Sequence, residues 1–340
     1  MKRLVATSPT RVDLAGGTLD IWPLNLLVDR AVTVNVAIDL MATCSIEDLP
    51  GPPARAALIR SEDSGVEETW ADAAEPPADS RLPLIARCVR WVAPARGFRL
   101  TTRSGSPAGA GLGGSSSLAL SMLAGLEHFA GRPLTPPADL ISVARDIEAQ
   151  VLRIPTGNQD HFAATFGGAA AIHLGPGPAF REVLPVDLER LAARLVLVYT
   201  GASRVSATAN WDMMRRAVDG EEGTLKGLRA IAAIANDMRA ALMTGDLDAA
   251  AALLNREWAE RRTLSPRVST ELTEKTMEAA RRAGATAGKV CGAGGGGCIV
   301  FLCREETRGA VIVALESMSG DGVKILPARP TAVGLQVAWK

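Results

Sequence analysis

The sequence predicts an α+β protein of two domains, and three observations carry that expectation. At 340 residues the chain exceeds the usual size of one domain. Short β-branched runs and segments of helical spacing both occur, but they do not alternate strictly as β-α-β units. A glycine- and proline-rich break, Gly175 to Pro178, divides the chain near its middle, which puts one domain over residues 1–180 and the other over 181–340.

The elements follow in order. RLVATSPTRVDLAGG begins as a short strand and runs into a glycine turn. AVTVNVAIDLMATCSI, residues 31–46, alternates β-branched residues over one long strand or a bent pair. Residues 47–80, with PGPP and EPPADS, read as irregular exposed connection. FRLTT is a strand that leads into a glycine-serine stretch. After Ser115 the positions Leu118, Met122, Leu126 and Phe129 share one helical face. A second helix runs from about Pro137 to Leu152, where Ile154-Pro155 stops it. AAAIHLGPGPAF closes the first half.

In the second half LVLVYTG, residues 195–201, reads as a buried strand. Helices follow around 205–217, 225–243 and 247–262, then one capped by Ser265 with Pro266 at its first position. Gly284 ends that helix, and CIVFLC, residues 298–303, is another buried strand. There is no internal repeat.

Composition narrows the function. The 37 basic residues balance 37 acidic ones, so no global field recruits nucleic acid or an anionic membrane. Five cysteines without a CxxC pair argue against a disulfide framework or a zinc cluster and for small buried hydrophobes in a reducing compartment. Three histidines are too few for a multi-histidine metal site. MKRLVATSPTRVD has no apolar core of signal-peptide length, and no segment approaches a span of ~20 apolar residues. A cytoplasmic protein, monomer or homodimer, is expected.

Seven of the nine residues from Gly109 to Ser117 are glycine or serine, directly ahead of a helix. The first turn of a helix leaves amides unpaired and carries partial positive charge. Glycines there let a phosphate approach the backbone, and the Ser115 and Ser116 hydroxyls suit phosphate oxygens or hydrated magnesium. Two rivals fit less well. Gly109, Gly111 and Gly114 satisfy GxGxxG, but no acid stands near position 134 for a ribose, as a dinucleotide-dependent oxidoreductase would need. GATAGKV at Gly284 has the wrong spacing for a Walker loop and lacks Ser or Thr after Lys289.

SPAGAGLGGSSSLAL resembles the PxxxGLGSSAA signature of the GHMP kinases (galactokinase, homoserine kinase, mevalonate kinase, phosphomevalonate kinase). Gly114 stands where the family usually has its first serine, so Ser115 best matches the magnesium-contacting serine, with Ser116 as the alternative. PTRVDLAGGTLD, residues 9–20, resembles the N-terminal motif in its sugar-kinase form, and KVCGAGGGGCIVF, residues 289–301, the C-terminal glycine motif. The resemblance spans nearly the whole chain. It implies a ribosomal-S5-like N-terminal domain, a ferredoxin-like C-terminal domain and an active site between them.

The same resemblance assigns roles. ATP with Mg2+ would bind over Pro107, Gly109, Ala110, Gly111, Leu112, Gly113, Gly114, Ser115 and Ser116. Asp160, in IPTGNQDHFAATFGG, matches the catalytic base, although His161 replaces the glutamine usual after it. Glu148 stands twelve residues earlier, the separation of metal ligand and base in galactokinase-like relatives. It also falls on the apolar face of Ile141, Ala144 and Val151, a costly place for a carboxylate that meets no charge or metal. Arg11 matches the cation beside the base. Gly16, Gly17, Thr18, Asp20, Gly157, Tyr199, Arg204, Gly294 and Gly295 are the expected acceptor contacts. Trp22 and Trp70 read as rim or core packing. AGGTLD and GNQDHFAATFGG favour a sugar 1-kinase acting on a heptose phosphate, fucose or galactose-type acceptor, over a mevalonate-type enzyme or a non-catalytic nucleotide and sugar sensor.

Overall fold

The computed structural model describes residues 2–201 and 206–340, with side chains in the first turn of the helix that begins at Ser206 left out. Two sheets organise the chain. The first is built on β1 (Arg3–Ala15), which pairs antiparallel with β2 (Val32–Asp48) across a turn that contains the short α1 (Leu24–Leu27). β2 is a single strand with two partners on one edge: Ala42–Asp48 pairs with β5 (Phe98–Ser104), and Val32–Val36 pairs with β6 (Ala169–His173). The segment expected to be irregular holds a hairpin, β3 (Ala57–Ser61) and β4 (Val66–Trp70), that extends the sheet beyond β5. VEETW alternates half-buried and exposed positions and closes on Trp70, which is 1% exposed and packs in the core. Its short length among prolines hid it.

Four helices cover this sheet: α2 (Pro83–Val92), α3 (Gly114–Phe129), α4 (Pro137–Leu152) and α5 (Gln159–Phe166). The face of Met122, Leu126 and Phe129 is buried as expected, but so are Ser116, Ser117, Ser121 and Glu127, because α3 is enclosed on all sides. α5 occupies a stretch that its flanking glycines make look like a loop.

β7 (Phe180–Val183) pairs with β6, so the break at 175–178 is a hairpin connection within the first sheet. The chain changes sheets after it, through α6 (Leu188–Ala192), whose N-terminus Asp187 caps. The second sheet is antiparallel, in the order β11 (Lys324–Leu326), β8 (Leu195–Tyr199), β10 (Cys298–Cys303), β9 (Ala285–Val290). The helices between are α7 (Ser206–Val218), α8 (Glu222–Met243), α9 (Leu247–Leu264), α10 (Glu271–Arg282) and α11 (Glu305–Glu316). Ser265 caps only the 3-10 turn Pro266–Val268, and Thr270 caps α10. The last strand, β12 (Gln336–Trp339), returns to the first sheet beside β1.

LVLVY and CIVFLC are apolar at nearly every position because both faces of the second sheet are covered. Leu195, Leu197, Val300 and Leu302 face a core shared with β1, β2, α8 and α9. Val196, Val198, Ile299 and Phe301 face a second core, under Val311 and Leu315 of α11. Each fully buried side chain contributes roughly 1.5–3 kcal/mol. The shared core locks the two sheets together beneath a cleft. All five cysteines are free and buried, and no described helix is long and apolar enough to cross a membrane.

Candidate active site

The cleft holds a cavity of about 640 Å³, and every residue from Pro107 to Ser116 lines it. Gly113 is the N-cap of α3, in the left-handed region at φ 74°, and no side chain caps the helix. The loop carbonyls are turned inward. Ala110 O accepts from Cys298 N at 2.8 Å, Gly111 O from Arg11 Nη1 at 2.5 Å, and Leu112 O from Arg11 N at 3.0 Å. Among the described residues the amides of Gly111 to Ser116 have no protein acceptor. Unpaired amides at a helix entrance bind anions. A Cβ on Gly111 would overlap the Cys291 carbonyl, because the C-terminal glycine segment packs against this loop backbone to backbone.

Arg11 and Asp13 lie two residues apart on β1 and face the same way. Arg11 Nε donates to Asp160 Oδ1 at 2.7 Å, and Nη2 lies 2.5 Å from the same oxygen. The Arg11 side chain is 5% exposed and that of Asp160 25%, so the carboxylate keeps one side open to the cleft. Burial pushes the Arg11 guanidinium down, but Asp160 and Asp13 more than reverse this, and Arg11 stays charged. Asp160 sits in the first turn of α5, where the helix dipole favours a carboxylate. A Cβ on Gly113 would lie 2.9 Å from Asp160 Cγ, so this glycine serves both the turn and the close approach of Asp160.

Glu148 is buried on the apolar face of α4, beside Ile141 and Ala144. Its carboxylate accepts from Ser115 Oγ and, at 2.8 Å, from Ser116 Oγ, and His161 Nε2 lies 3.2 Å from Oε2. Burial alone would raise this carboxyl. The hydrogen bond and charge of His161, then the two serines, hold it below its ordinary value. Hydroxyl and carboxylate oxygens are the hard donors that Mg2+ prefers, and one protein carboxylate suffices where phosphates and waters complete the shell. The residues therefore fit the metal.

Gly17, Thr18 and Asp20 form the opposite wall. Asp20 Oδ2 accepts from Gln159 N at 2.9 Å, and Gly157 lies against its carboxylate. Burial raises the Asp20 carboxyl, and nearby Asp160 adds to the rise, which the Gln159 amide only partly offsets. A second cavity of about 860 Å³ adjoins at Asp20, Pro155 and Thr156, with Arg145 in its wall and Trp22, 66% exposed, at its rim.

Comparison with known proteins decides the family. A model described as GHMP kinases N terminal domain matches residues 83–168, and one described as GHMP kinases C terminal matches residues 238–320. The chain belongs to the GHMP kinases. A D-glycero-alpha-D-manno-heptose 7-phosphate kinase of Campylobacter jejuni is 28% identical over 335 residues, covering 94% of this chain and 95% of that protein. The crystal structure of a D-glycero-D-manno-heptose 1-phosphate kinase from Bacteroides thetaiotaomicron superposes with a TM-score of 0.77 at 23% identity, over 98% of both chains. A galactokinase of Lactococcus lactis complexed with galactose gives 0.79 at 19% identity, over 98% of this chain and 95% of that one. The α+β two-domain GHMP kinase fold expected from the sequence is present.

The kinase fold brings together Arg11, Gly17, Thr18, Asp20, the loop from Pro107 to Ser116, Glu148, Gly157 and Asp160 around one cavity. Other expected contacts lie elsewhere. Gly16 packs against the Val32 carbonyl, outside the cavity. Gly294 and Gly295 lie against Val268 and Arg267, and Gly292 and Ala293 reach the wall in their place. Tyr199, at the end of β8, packs against the shared core instead of the cleft. Arg204 lies outside the described residues. His161 is fully buried behind Glu148 and does not line the cavity.

At the far end of the kinase cavity stand Ser61, Asp63, Leu84, Ser104, Ser106, Leu152 and Ile154, none of them legible as site residues. They come from the unexpected hairpin, α2, the end of β5 with the loop that follows it, and the end of α4 with the residues after it. The one local signal was the turn SEDSG, whose Asp63 carboxylate accepts from Ser104 N at 2.8 Å.

Proposed function

We propose that this kinase transfers the γ-phosphoryl group of ATP to a hydroxyl of a sugar or sugar phosphate, at the anomeric carbon, with a heptose phosphate the favoured acceptor. The observation that carries the reading is the Arg11–Asp160 pair, which stands between the bare loop of α3 and the Gly17–Asp20 turn. One wall suits a triphosphate, the other a polyol, and a carboxylate lies between them.

The chemistry needs positioning, charge neutralisation and a destination for one proton. The unpaired amides of Gly111 to Ser116 would hold the β- and γ-phosphates, and Leu84, Leu118 and Leu152, with Ser61 and Asp63, would receive the adenine. Asp20 and Thr18 would orient the acceptor by hydrogen bonds to its hydroxyls. As the acceptor oxygen bonds to phosphorus and the bond to the ADP oxygen breaks, the hydroxyl proton passes to Asp160. Arg11 holds the Asp160 carboxylate in place, with its open side toward the cleft. When bound, Mg2+ held by Glu148 and Ser115 would neutralise phosphate charge.

The heptose acceptor is supported by the Campylobacter jejuni relative, which matches nearly end to end. A sensor would have no need of a buried guanidinium that fixes a carboxylate with one side open to the cleft. The test is ADP release with heptose 7-phosphate, fucose, galactose and mevalonate. A sugar or sugar phosphate should accelerate release well beyond mevalonate, and the product should lose reducing-end reactivity. ATP binding without acceleration by any sugar overturns the proposal.

A further inference from the structure

A second charged cluster lies beneath the acceptor turn, unused by the reaction above. Asp13, Lys289 and Glu257 are 0% exposed, and Arg261 is 1% exposed. Lys289 Nζ donates to Asp13 Oδ2 and lies 3.5 Å from Glu257 Oε2. Glu257 Oε1 accepts from Arg261 Nε at 3.0 Å and from Nη2 at 2.5 Å. The remaining Arg261 donors leave the cluster: Nη2 reaches the Gly17 carbonyl at 2.8 Å, and Nη1 reaches Thr18 Oγ1 at 3.1 Å. At the other end Asp13 Oδ1 accepts from Gly292 N at 3.1 Å. Gly292 in turn touches Gly111 of the phosphate loop.

Two acids and two bases thus form a neutral buried chain that ends on two walls of the cavity. Burial of four charges is a poor source of stability, since a well-packed apolar replacement often does as well. What apolar side chains cannot do is hold a carbonyl and a hydroxyl in a set direction. The chain also starts beside the reacting pair, because Asp13 and Arg11 share one face of β1.

We propose that Asp13, Lys289, Glu257 and Arg261 are positioning residues that set the Gly17–Thr18 turn relative to the Arg11–Asp160 pair, and so place the acceptor hydroxyl against the base. The acceptor part of this inference rests on the kinase reading above. Arg261→Lys keeps the charge but loses the fork that spans Gly17 and Thr18. The double variant Glu257→Gln with Arg261→Met removes one charge of each sign and leaves the Asp13–Lys289 pair in place.

Two readouts separate position from stability. Hydrogen exchange of the Leu19 and Ile21 amides, which close the turn onto Gly16 and Thr18, reports on the turn without any substrate. In Arg261→Lys this exchange should rise about tenfold while that of the α3 entrance stays unchanged. The acceptor KM should rise about tenfold with ATP KM nearly constant. The double variant should regain the melting temperature lost by Arg261→Lys but not the acceptor KM. Unchanged exchange at the turn, or an acceptor KM that recovers together with melting temperature, overturns the proposal. If no sugar is phosphorylated at all, the sugar-kinase reading falls, and the exchange measurement still decides the role of the cluster.

Discussion

Arg11 Nε lies 2.7 Å from Asp160 Oδ1 while Nη1 of the same guanidinium holds the Gly111 carbonyl at 2.5 Å. One side chain therefore ties Asp160 to the loop proposed to hold the phosphates. The planar fork of arginine permits both contacts at fixed angles. Arg11→Lys should accordingly fail on both counts. We expect turnover to fall by about 10²-fold or more and nucleotide affinity to weaken as the Gly111 carbonyl is released. Steady-state ADP release and calorimetric ATP titration measure the two effects, and intact turnover in this variant removes Arg11 from its role.

Asp160→Asn separates chemistry from binding. The amide keeps the shape and one acceptor for Arg11 but cannot take the proton. Turnover should drop by about 10²–10⁴-fold with ATP affinity within about threefold of wild type. Near-normal turnover would show that the proton goes elsewhere.

Glu148→Gln probes the metal. The two serine hydroxyls keep an acceptor, so the fold should survive, but the anionic donor is gone. The Mg2+ concentration for half-maximal activity should rise by about 10–100-fold. Titration of metal-dependent nucleotide binding, read by fluorescence, provides a check independent of turnover. No change in either quantity would exclude Glu148 as a ligand.

Asp20 and the pair Asp13 and Glu148 should respond to pH with opposite signs. The native carboxyls of Asp13 and Glu148 lie below the ordinary range, the first chiefly because Lys289, then Arg11, outweigh the effect of burial. Their stabilisation is full above the unfolded value of about 4 and is lost as pH falls through the lower native values. Asp20 is raised by burial, so its ionised form disfavours the folded state at neutral pH, and that penalty vanishes below the unfolded value. Asp20→Asn should therefore raise the melting temperature at pH 7 but not near pH 3, while acceptor KM rises about tenfold. Thermal scans at both pH values test the sign, and equal shifts at both would refute it.

Much of this molecule was determined by its sequence alone. The glycine-serine run ahead of α3, the helices α8 and α9 and the all-apolar strands β8 and β10 each follow from local backbone and burial preferences, which act within a few residues. Glu148 was visible too, since a carboxylate on an apolar helical face announces a partner. Other features were decided only by the tertiary structure. Arg11 meets Asp160 across 149 positions and Arg261 meets Gly17 across 244, separations that leave no periodic trace. The i,i+4 pair Glu257 and Arg261 looks like an ordinary surface bridge until α9 buries it between two sheets. Likewise the five glycines near position 294 signal close approach without saying to what. Packing decided that Gly292 and Gly297 lie against Gly111 and Ala110 of the loop ahead of α3, where two backbones can touch only because neither carries a bulky side chain, while Gly294 and Gly295 pack on Val268 and Arg267.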